Sequence, residues 1–334
     1  MDILKEIKNK IDLVNEGDRP NGIKAVLVHI EVSERYYGLG LEGSDYYFTD
    51  VVYRTNHAFE GILKEAYEIL EDQNASRKTP YEIEQYLSES SILNGRVMAL
   101  FSNYRQNWRN PSTHDYQLSF DSHEAFMAIV TVSSFVNILL DQIVEKLSFK
   151  STLRRTASFI ESEKKSLEHY TELSFFKKLV EVLKSYSSFY IRNHESLSKY
   201  PEAELLGSLS GYVSSFEPNW TLSTNEKIEI GSSRVYIDLV VSDSQEKVIV
   251  ELKRGRDYSA FYDHINTAEE QVKNYMSASG IECGIAFYTP VKTDDEIITT
   301  NELGKADSLV IIHSVPPGAI PTKEEIEEMD RFYE

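Results

Sequence analysis

Two carboxylates and an ammonium fall on neighbouring apolar segments of this chain. Asp238 lies in Ile237-Asp238-Leu239-Val240-Val241, and Glu251 and Lys253 lie in Lys247-Val248-Ile249-Val250-Glu251-Leu252-Lys253. A short polar run, Ser242 to Glu246, joins the two. Each segment is short, β-branched and bounded by a turn signal, which is the pattern of a buried strand. A strand buried on both faces excludes an unpaired charge, because desolvating it is costly. Residues i and i+2 of a strand share a face, so Glu251 and Lys253 project together while Leu252 turns away. A hairpin brings Asp238 beside them. Two carboxylates and an ammonium on one face suit a hard divalent cation held by oxygen ligands, with a positive group left for a scissile phosphate.

The set resembles the signature of the PD-(D/E)XK nuclease family, with Asp238, Glu251 and Lys253 in place and twelve residues between the Asp and the Glu. Ile237 stands where the family often has proline. The resemblance implies a core of helix, three antiparallel strands, helix and strand. The sequence offers that order: a helix from Glu202 to Phe216, a strand at Lys227 to Ile230, the Asp238 and Glu251 strands, a helix from His264 to Met276, and a strand at Ile281 to Tyr288. It also implies one or two Mg²⁺ or Mn²⁺ ions on Asp238, Glu251 and the Leu252 carbonyl, with Glu204 of the preceding helix as an added metal-binding carboxylate. Lys253 would then orient or help deprotonate the attacking water and steady the phosphate charge. Gln271 and Tyr275 reproduce a Gln-x-x-x-Tyr helix seen in several branches, although an ordinary helix face accounts for them equally well.

A second constellation lies earlier, in Trp108-Arg109-Asn110-Pro111-Ser112-Thr113-His114. The arginine ends one long helical pattern, the histidine precedes another, and a proline fixes the turn between. Histidine can remove the proton of an RNA 2′-hydroxyl near neutral pH. Arginine's planar fork binds the phosphate that the freed oxygen attacks. With the His57 to Tyr67 helix, the motif resembles the HEPN family, small helical bundles whose ribonuclease members carry Arg-x(4–6)-His. Arg109 and His114 match with four residues between, and Asn110 matches the polar residue usual after the arginine. The resemblance covers roughly residues 20–147 and implies two bundles paired so that two motifs line one cleft. Glu60 could orient Arg109 or His114, but a solvated helix face is the simpler reading.

Those residues need elements to hold them. Helical periodicity runs from Gly22 to Tyr37, from Thr49 to Glu71, after Pro80, from Ser91 to Arg109, and from Ser122 to Leu147. The last is apolar nearly all round, as in a helix that is central or covered by a partner chain. Residues 148–171 turn polar and basic, and an amphipathic helix with Phe175, Leu179, Leu183 and Tyr186 follows. The expected fold class is therefore an all-α HEPN-like bundle at 1–150, a helical connector at 151–195, and an α/β restriction-endonuclease-like αβββαβ domain at 196–334.

A chain of 334 residues suits two cores. No unbroken apolar run reaches the roughly 18 residues that span a bilayer, and the N-terminus lacks a signal-peptide core, so no membrane partner is expected. Cys283 is the only cysteine. An intrachain disulfide is excluded, cysteine metal sites are too, and a reducing cytoplasm fits. The formal charge of −19 argues against a protein that passively coats nucleic acid. It does not argue against a catalytic site with locally positive walls such as Lys253, Arg254 and Arg256. Acidic residues gather instead at 323–334. The expectation is a two-domain nuclease acting on DNA or RNA, in antiviral defence or as a toxin, homodimeric, and served by an antidote or sensor protein. Two alternatives stand beside it: a DNA endonuclease whose bundle only dimerises or senses, and a non-catalytic nucleic-acid-binding protein.

Overall fold

A computed structural model of the chain describes residues 2–14, 20–90, 92–114, 119–167, 169–193, 201–231, 233–255, 261–301 and 308–317. Two compact units emerge, Met1–Leu147 and Ser148–Glu334. The first is helical and the second is built on a sheet.

The first unit contains α1 (Ile3–Val14), α2 (Pro20–Leu41), α3 (Tyr46–Glu71), α4 (Pro80–Glu89), α5 (Gly95–Tyr104), α6 (Asn110–His114) and most of α7 (Ser122–Thr156). Thr79 starts α4 with a reciprocal capping box: its hydroxyl accepts from Glu82 N–H, the Glu82 carboxylate accepts from Thr79 N–H, and Pro80 opens the first turn. Asn94 caps α5 by accepting from Val97 N–H, so that helix starts four residues later than its apolar pattern suggests. Aromatic rings fill the centre, with Phe59 of α3 lying 4.7 Å from Tyr104 and 5.2 Å from Phe135 of α7. Lys10 is buried on α1, where its ammonium donates to the Asn137 carbonyl at 3.0 Å and pairs with Asp141 at 2.8 Å, tying α1 to α7.

The apolar helix is longer than its sequence pattern predicts. It continues past Leu147 to Thr156, because Leu153 and the β-branched Thr152 and Thr156 keep an inward stripe where the composition turns basic. Although no unbroken apolar run is long enough to span a bilayer, α7 contains an 18-residue window that is apolar enough to do so by composition. That window is 56% buried inside the protein, as a core helix would be.

The second unit adds α8 (Ile160–Ser166), α9 (Phe175–Asn193), α10 (Glu202–Phe216), β1 (Thr221–Ile230), β2 (Ser233–Ser242), β3 (Lys247–Lys253), α11 (Phe261–Ser279), β4 (Cys283–Tyr288), β5 (Glu296–Asn301) and β6 (Leu309–Val315). The strands form one mixed sheet in the order β1-β2-β3-β4-β6-β5. β1, β2 and β3 run antiparallel, β4 and β6 are parallel to β3, and β5 returns antiparallel to β6. The period-2 pattern divides the side chains between two helical layers. Leu239, Val241, Val248, Val250, Leu252, Ile285 and Phe287 pack under α9 and α10. Val240, Ile249, Ala286 and Tyr288 pack under α11. Each fully buried Leu, Val, Ile or Phe among them stabilises the fold by about 1.5–3 kcal/mol. α8 and α9, read from sequence as a connector, supply Ile160, Leu179, Leu183 and Tyr186 to this core. β5 and β6 were not anticipated; β6 is a continuous apolar run that periodicity alone cannot tell from a helix segment.

Candidate functional site

The β2–β3 hairpin sets the site. Its ladder runs Ser242↔Lys247, Val241↔Val248, Val240↔Ile249 and Leu239↔Val250, and ends there. β2 continues backward paired only with β1, and β3 continues forward paired only with β4, where Glu251↔Ala286 and Lys253↔Tyr288. Asp238 and Glu251, next in register, flank a notch where the two strands part. Across β1 from Asp238 sits Asn225, held at φ 53 in the left-handed region. Asparagine tolerates that conformation better than any other residue except glycine. Asp238 lies in the middle of the ten-residue β2, which begins four residues before the apolar run Ile237–Val241.

Three contacts fix the chemistry of the notch. Leu252 N–H, released from the ladder, donates to Asp238 Oδ2 at 2.9 Å. In a strand the N–H and C=O of one residue point to the same side, so the Leu252 carbonyl faces the notch as well. Lys253 Nζ donates to Glu251 Oε1 at 2.6 Å. Glu251 Oε2 is buried, and the group within hydrogen-bond reach of the carboxylate besides Lys253 is the Asp238 carboxyl, a donor only when protonated. Beyond Lys253 the chain is pinned to Thr289: Thr289 N–H donates to the Lys253 carbonyl at 2.9 Å, and Gly255 N–H donates to Thr289 Oγ1 at 3.0 Å. A Cβ on Gly255 would run into the Thr289 carbonyl, so only glycine fits.

The electrostatics follow from burial. Desolvation, then Glu251, push the Asp238 carboxyl up, and the Leu252 N–H and the Lys253 ammonium offset this only in part. Glu251 is also raised, by burial above all, against the pull of Lys253. Burial by itself would lower Lys253, but Glu251 and Asp238 override it and hold the ammonium above its usual range. Two buried carboxylates with one ammonium between them leave an excess negative charge that a proton or a cation must balance.

The helices bring further groups. Gln271 Nε2 donates to Tyr275 Oη at 2.7 Å on α11, and Tyr275 is close enough to feel the charges of Glu251, Asp238 and Lys253. On α10, which has the expected bounds, Glu202–Phe216, two carboxylates divide their influence. Glu202, which is exposed, raises the proton affinity of Asp238, Glu251 and Lys253. Glu204 instead acts on buried Tyr186, and its Oε2 is buried away from solvent. The two are separated by two positions, about 200° around a helix, so they project to different sides. Among the described residues no three His, Cys, Asp or Glu side chains converge at metal-ligand spacing. The oxygen donors present are the two carboxylates and the Leu252 carbonyl, a hard set that suits Mg²⁺ or Mn²⁺. The buried Glu251 Oε2 is the atom such an ion would satisfy.

In the first unit, Arg109 closes a π-helical turn, Arg105–Arg109, in which Asn110 N–H reaches back to the Arg105 carbonyl. Such turns mark positions where a side chain is re-aimed at a local energetic cost. The chain does not break at Asn110-Pro111 as expected; the π-turn runs directly into α6, which continues through Pro111. Ser112 Oγ donates to the Trp108 carbonyl at 2.7 Å and accepts from Asn56 Nδ2 at 2.6 Å. Arg109 pairs with Glu84 at 3.4 Å and Glu60 at 3.5 Å, and its Nη1 donates to Asn110 Oδ1 at 3.3 Å. Glu60 therefore does orient the arginine. Glu84, with a side chain only 2% exposed, went unnoticed in the sequence. Its signal was there: it falls on the apolar stripe of α4 with Ile83 and Leu87. Burial raises its carboxyl, against Arg109 and Arg105. The backbone of His114 ends α6; its side chain lies outside the described residues, as do Arg256 and the acidic run at 323–334.

Comparison of the chain with protein-family models, with curated proteins and with solved structures finds no match.

Proposed function

We propose that the chain is a metal-dependent phosphodiesterase acting on nucleic acid, with a restriction-endonuclease-like αβββαβ second unit and a HEPN-like first unit. The observation that carries this reading is the notch between β2 and β3, where two buried carboxylates, a strand carbonyl and an ammonium meet. The order α10, β1, β2, β3, α11, β4 supports it further. Asp238, Glu251 and the Leu252 carbonyl would hold Mg²⁺ or Mn²⁺, giving up the proton that the carboxylates otherwise retain. The ion would supply charge neutralisation at the scissile phosphate and activation of the attacking water. Lys253, released from Glu251, donates to a phosphate oxygen. In the metal-free protein Glu251 and Asp238 hold it as a cation. Glu202, rather than Glu204, is the carboxylate placed to act on the same centre. Wild type and Asp238→Ala, incubated with labelled DNA and RNA with magnesium or chelator, test the assignment. Metal-dependent cleavage that survives in the variant would refute it.

The first unit supports a second activity, metal-independent RNA cleavage by Arg109 and His114 with Asn110 in support. The feature that favours it is the arginine held by Glu60 and Glu84 at a π-helical turn. Phe126, Met127 and Val130 leave an exposed apolar stripe on α7 suited to a second copy, which would place two motifs at a homodimer interface. A bundle that only dimerises or senses, or a chain that binds nucleic acid without cutting it, would leave RNA intact in chelator. Cleavage there, with 2′,3′-cyclic phosphate ends lost in His114→Ala, distinguishes the readings. The role in antiviral defence or as a toxin, a cytoplasmic location, and an antidote or sensor protein rest on the family resemblance.

A further inference from the structure

The chain carries a formal charge of −19, yet residues 148–193 hold nine Lys and Arg against five Asp and Glu. These residues form the tail of α7, α8 and α9. A basic stretch in an acidic chain is the electrostatic footprint expected for a polyanion.

The tail of α7 is fixed by small polar side chains. Ser148 Oγ donates to the Glu204 carbonyl at 2.8 Å, Thr152 Oγ1 to Ser208 Oγ at 3.1 Å, and the Thr156 and Ser215 hydroxyls meet at 2.6 Å. Gly211 permits the approach, since a Cβ there would sit 2.6 Å from the Phe149 carbonyl oxygen. Positions 148, 152 and 156 recur every four residues and define the stripe that faces α10. Lys150 and Arg154 are two residues out of that register, on the opposite side, and are neighbours about 5–6 Å apart. Arg154 and Arg155 are exposed. Arg155 donates to Asn193 Oδ1 at 2.6 Å and stands over the Phe189 ring, so it meets the end of α9 beside exposed Arg192. The row starts near the chemistry: Ser148 is tied to Glu204, and two residues before it on α10 is Glu202, whose charge reaches Asp238, Glu251 and Lys253.

We propose that Lys150, Arg154 and Arg155, with Arg192 beside them, form the track on which a nucleic-acid backbone lies as it runs into the Asp238–Glu251–Lys253 site. The assignment rests on the nuclease reading above. Guanidinium forks hold phosphate oxygens in pairs and read no bases, so the track gives register and affinity without sequence preference. Arg192 also pairs with Glu163 at 3.2 Å, but it is exposed, and such a pair costs little to exchange for a phosphate.

The test compares wild type with a Lys150→Gln/Arg154→Gln/Arg155→Gln variant and with Lys150→Arg/Arg154→Lys/Arg155→Lys, which keeps the charge. Binding of labelled single-stranded DNA and RNA is titrated in chelator across a range of salt. Manganese-dependent hydrolysis of bis(p-nitrophenyl) phosphate, too small to reach the track, is measured in parallel. Each lost phosphate contact removes about 0.7 from the slope of log affinity against log salt, so the neutral variant should bind more weakly with a slope flatter by about 2. The charge-keeping variant should keep the wild-type salt slope, losing only the forked geometry of its two arginines, and all three should hydrolyse the small diester equally. A neutral variant with wild-type affinity and slope overturns the track and leaves the nuclease reading standing. An equally flattened slope in both variants assigns the effect to packing and also overturns it. A wild type inert toward the small diester overturns the nuclease reading, and with it the destination of the track.

Discussion

In metal-free protein the carboxylate pair at the notch should retain one proton far into the neutral range, and a single substitution should abolish the resulting pH dependence. Asp238 is raised from 3.8 to about 8, first by burial and then by Glu251. The folded chain therefore holds a proton that the unfolded chain releases above about pH 4. A group whose folded pKa exceeds its unfolded value contributes stability at low pH that is lost as pH rises toward the folded value. One proton's difference is worth about 1.4 kcal/mol per pH unit, so from about pH 5.5 to 7.5 the second unit should lose about 3 kcal/mol from this source. Asp238→Asn leaves Glu251 alone with Lys253 and should cancel that loss. Saturating Mg²⁺ or Mn²⁺ should flatten the dependence in wild type and stabilise more as pH rises. The chain has two tryptophans. In a Trp108→Phe background, Trp220, packed edge-on against Phe175 at 4.9 Å, reports urea unfolding of the second unit alone. Taking the difference between wild type and Asp238→Asn at each pH removes the other titrating groups. A difference that stays constant from about pH 5.5 to 7.5 would show that the pair holds no proton and that the carboxylates do not meet as described.

Glu202→Gln should weaken Mn²⁺ binding measured by calorimetry, whereas Glu204→Gln should leave it unchanged and lower the melting temperature instead; the reverse pattern would restore the sequence-based assignment. Glu84→Ala should destabilise the first unit by about 3–5 kcal/mol, because it leaves the Arg109 charge buried against fewer partners, and the more exposed Glu60 should cost less on the same denaturation assay. Asn225→Val should destabilise the second unit by about 1–2 kcal/mol, since a β-branched residue cannot adopt φ 53 without strain, while Asn225→Gly should be close to neutral. Equal effects of the two substitutions would mean that the left-handed turn opposite Asp238 is not what constrains that position.

Much of the second unit was legible because hydrophobic period and charge placement agreed. Asp238, Glu251 and Lys253 stood out as charges inside β-branched runs, and the short polar turn between the runs fixed their register. Three features were hidden for physical reasons. The choice between Glu202 and Glu204 depends on which side of α10 meets the site, and a helix buried without a break from Leu205 to Val213 shows no polar face to set it. The tail of α7 looked like a connector because its outer face is basic, while its inner face packs through hydroxyls and Gly211 rather than large apolar groups. In the first unit, the Arg105–Arg109 π-turn has no propensity signal, so a proline that normally ends a helix was read as its end.

The antiparallel run of β1, β2 and β3 joins residues close in sequence, whereas the parallel pairing of β3 with β4 must wait for α11 to be laid down between them. Local pairings are expected to close first during folding. Asp238 and Glu251 would then come together while their face of the sheet is still open to water, where like charges repel weakly. Only when α11 brings Val272 and Tyr275 over Ala286 and Ile249 does that face dry out. The late docking of one helix is thus the step at which the chain takes up its proton, and the rate of that step, rather than of hairpin closure, should slow as the solution becomes more alkaline.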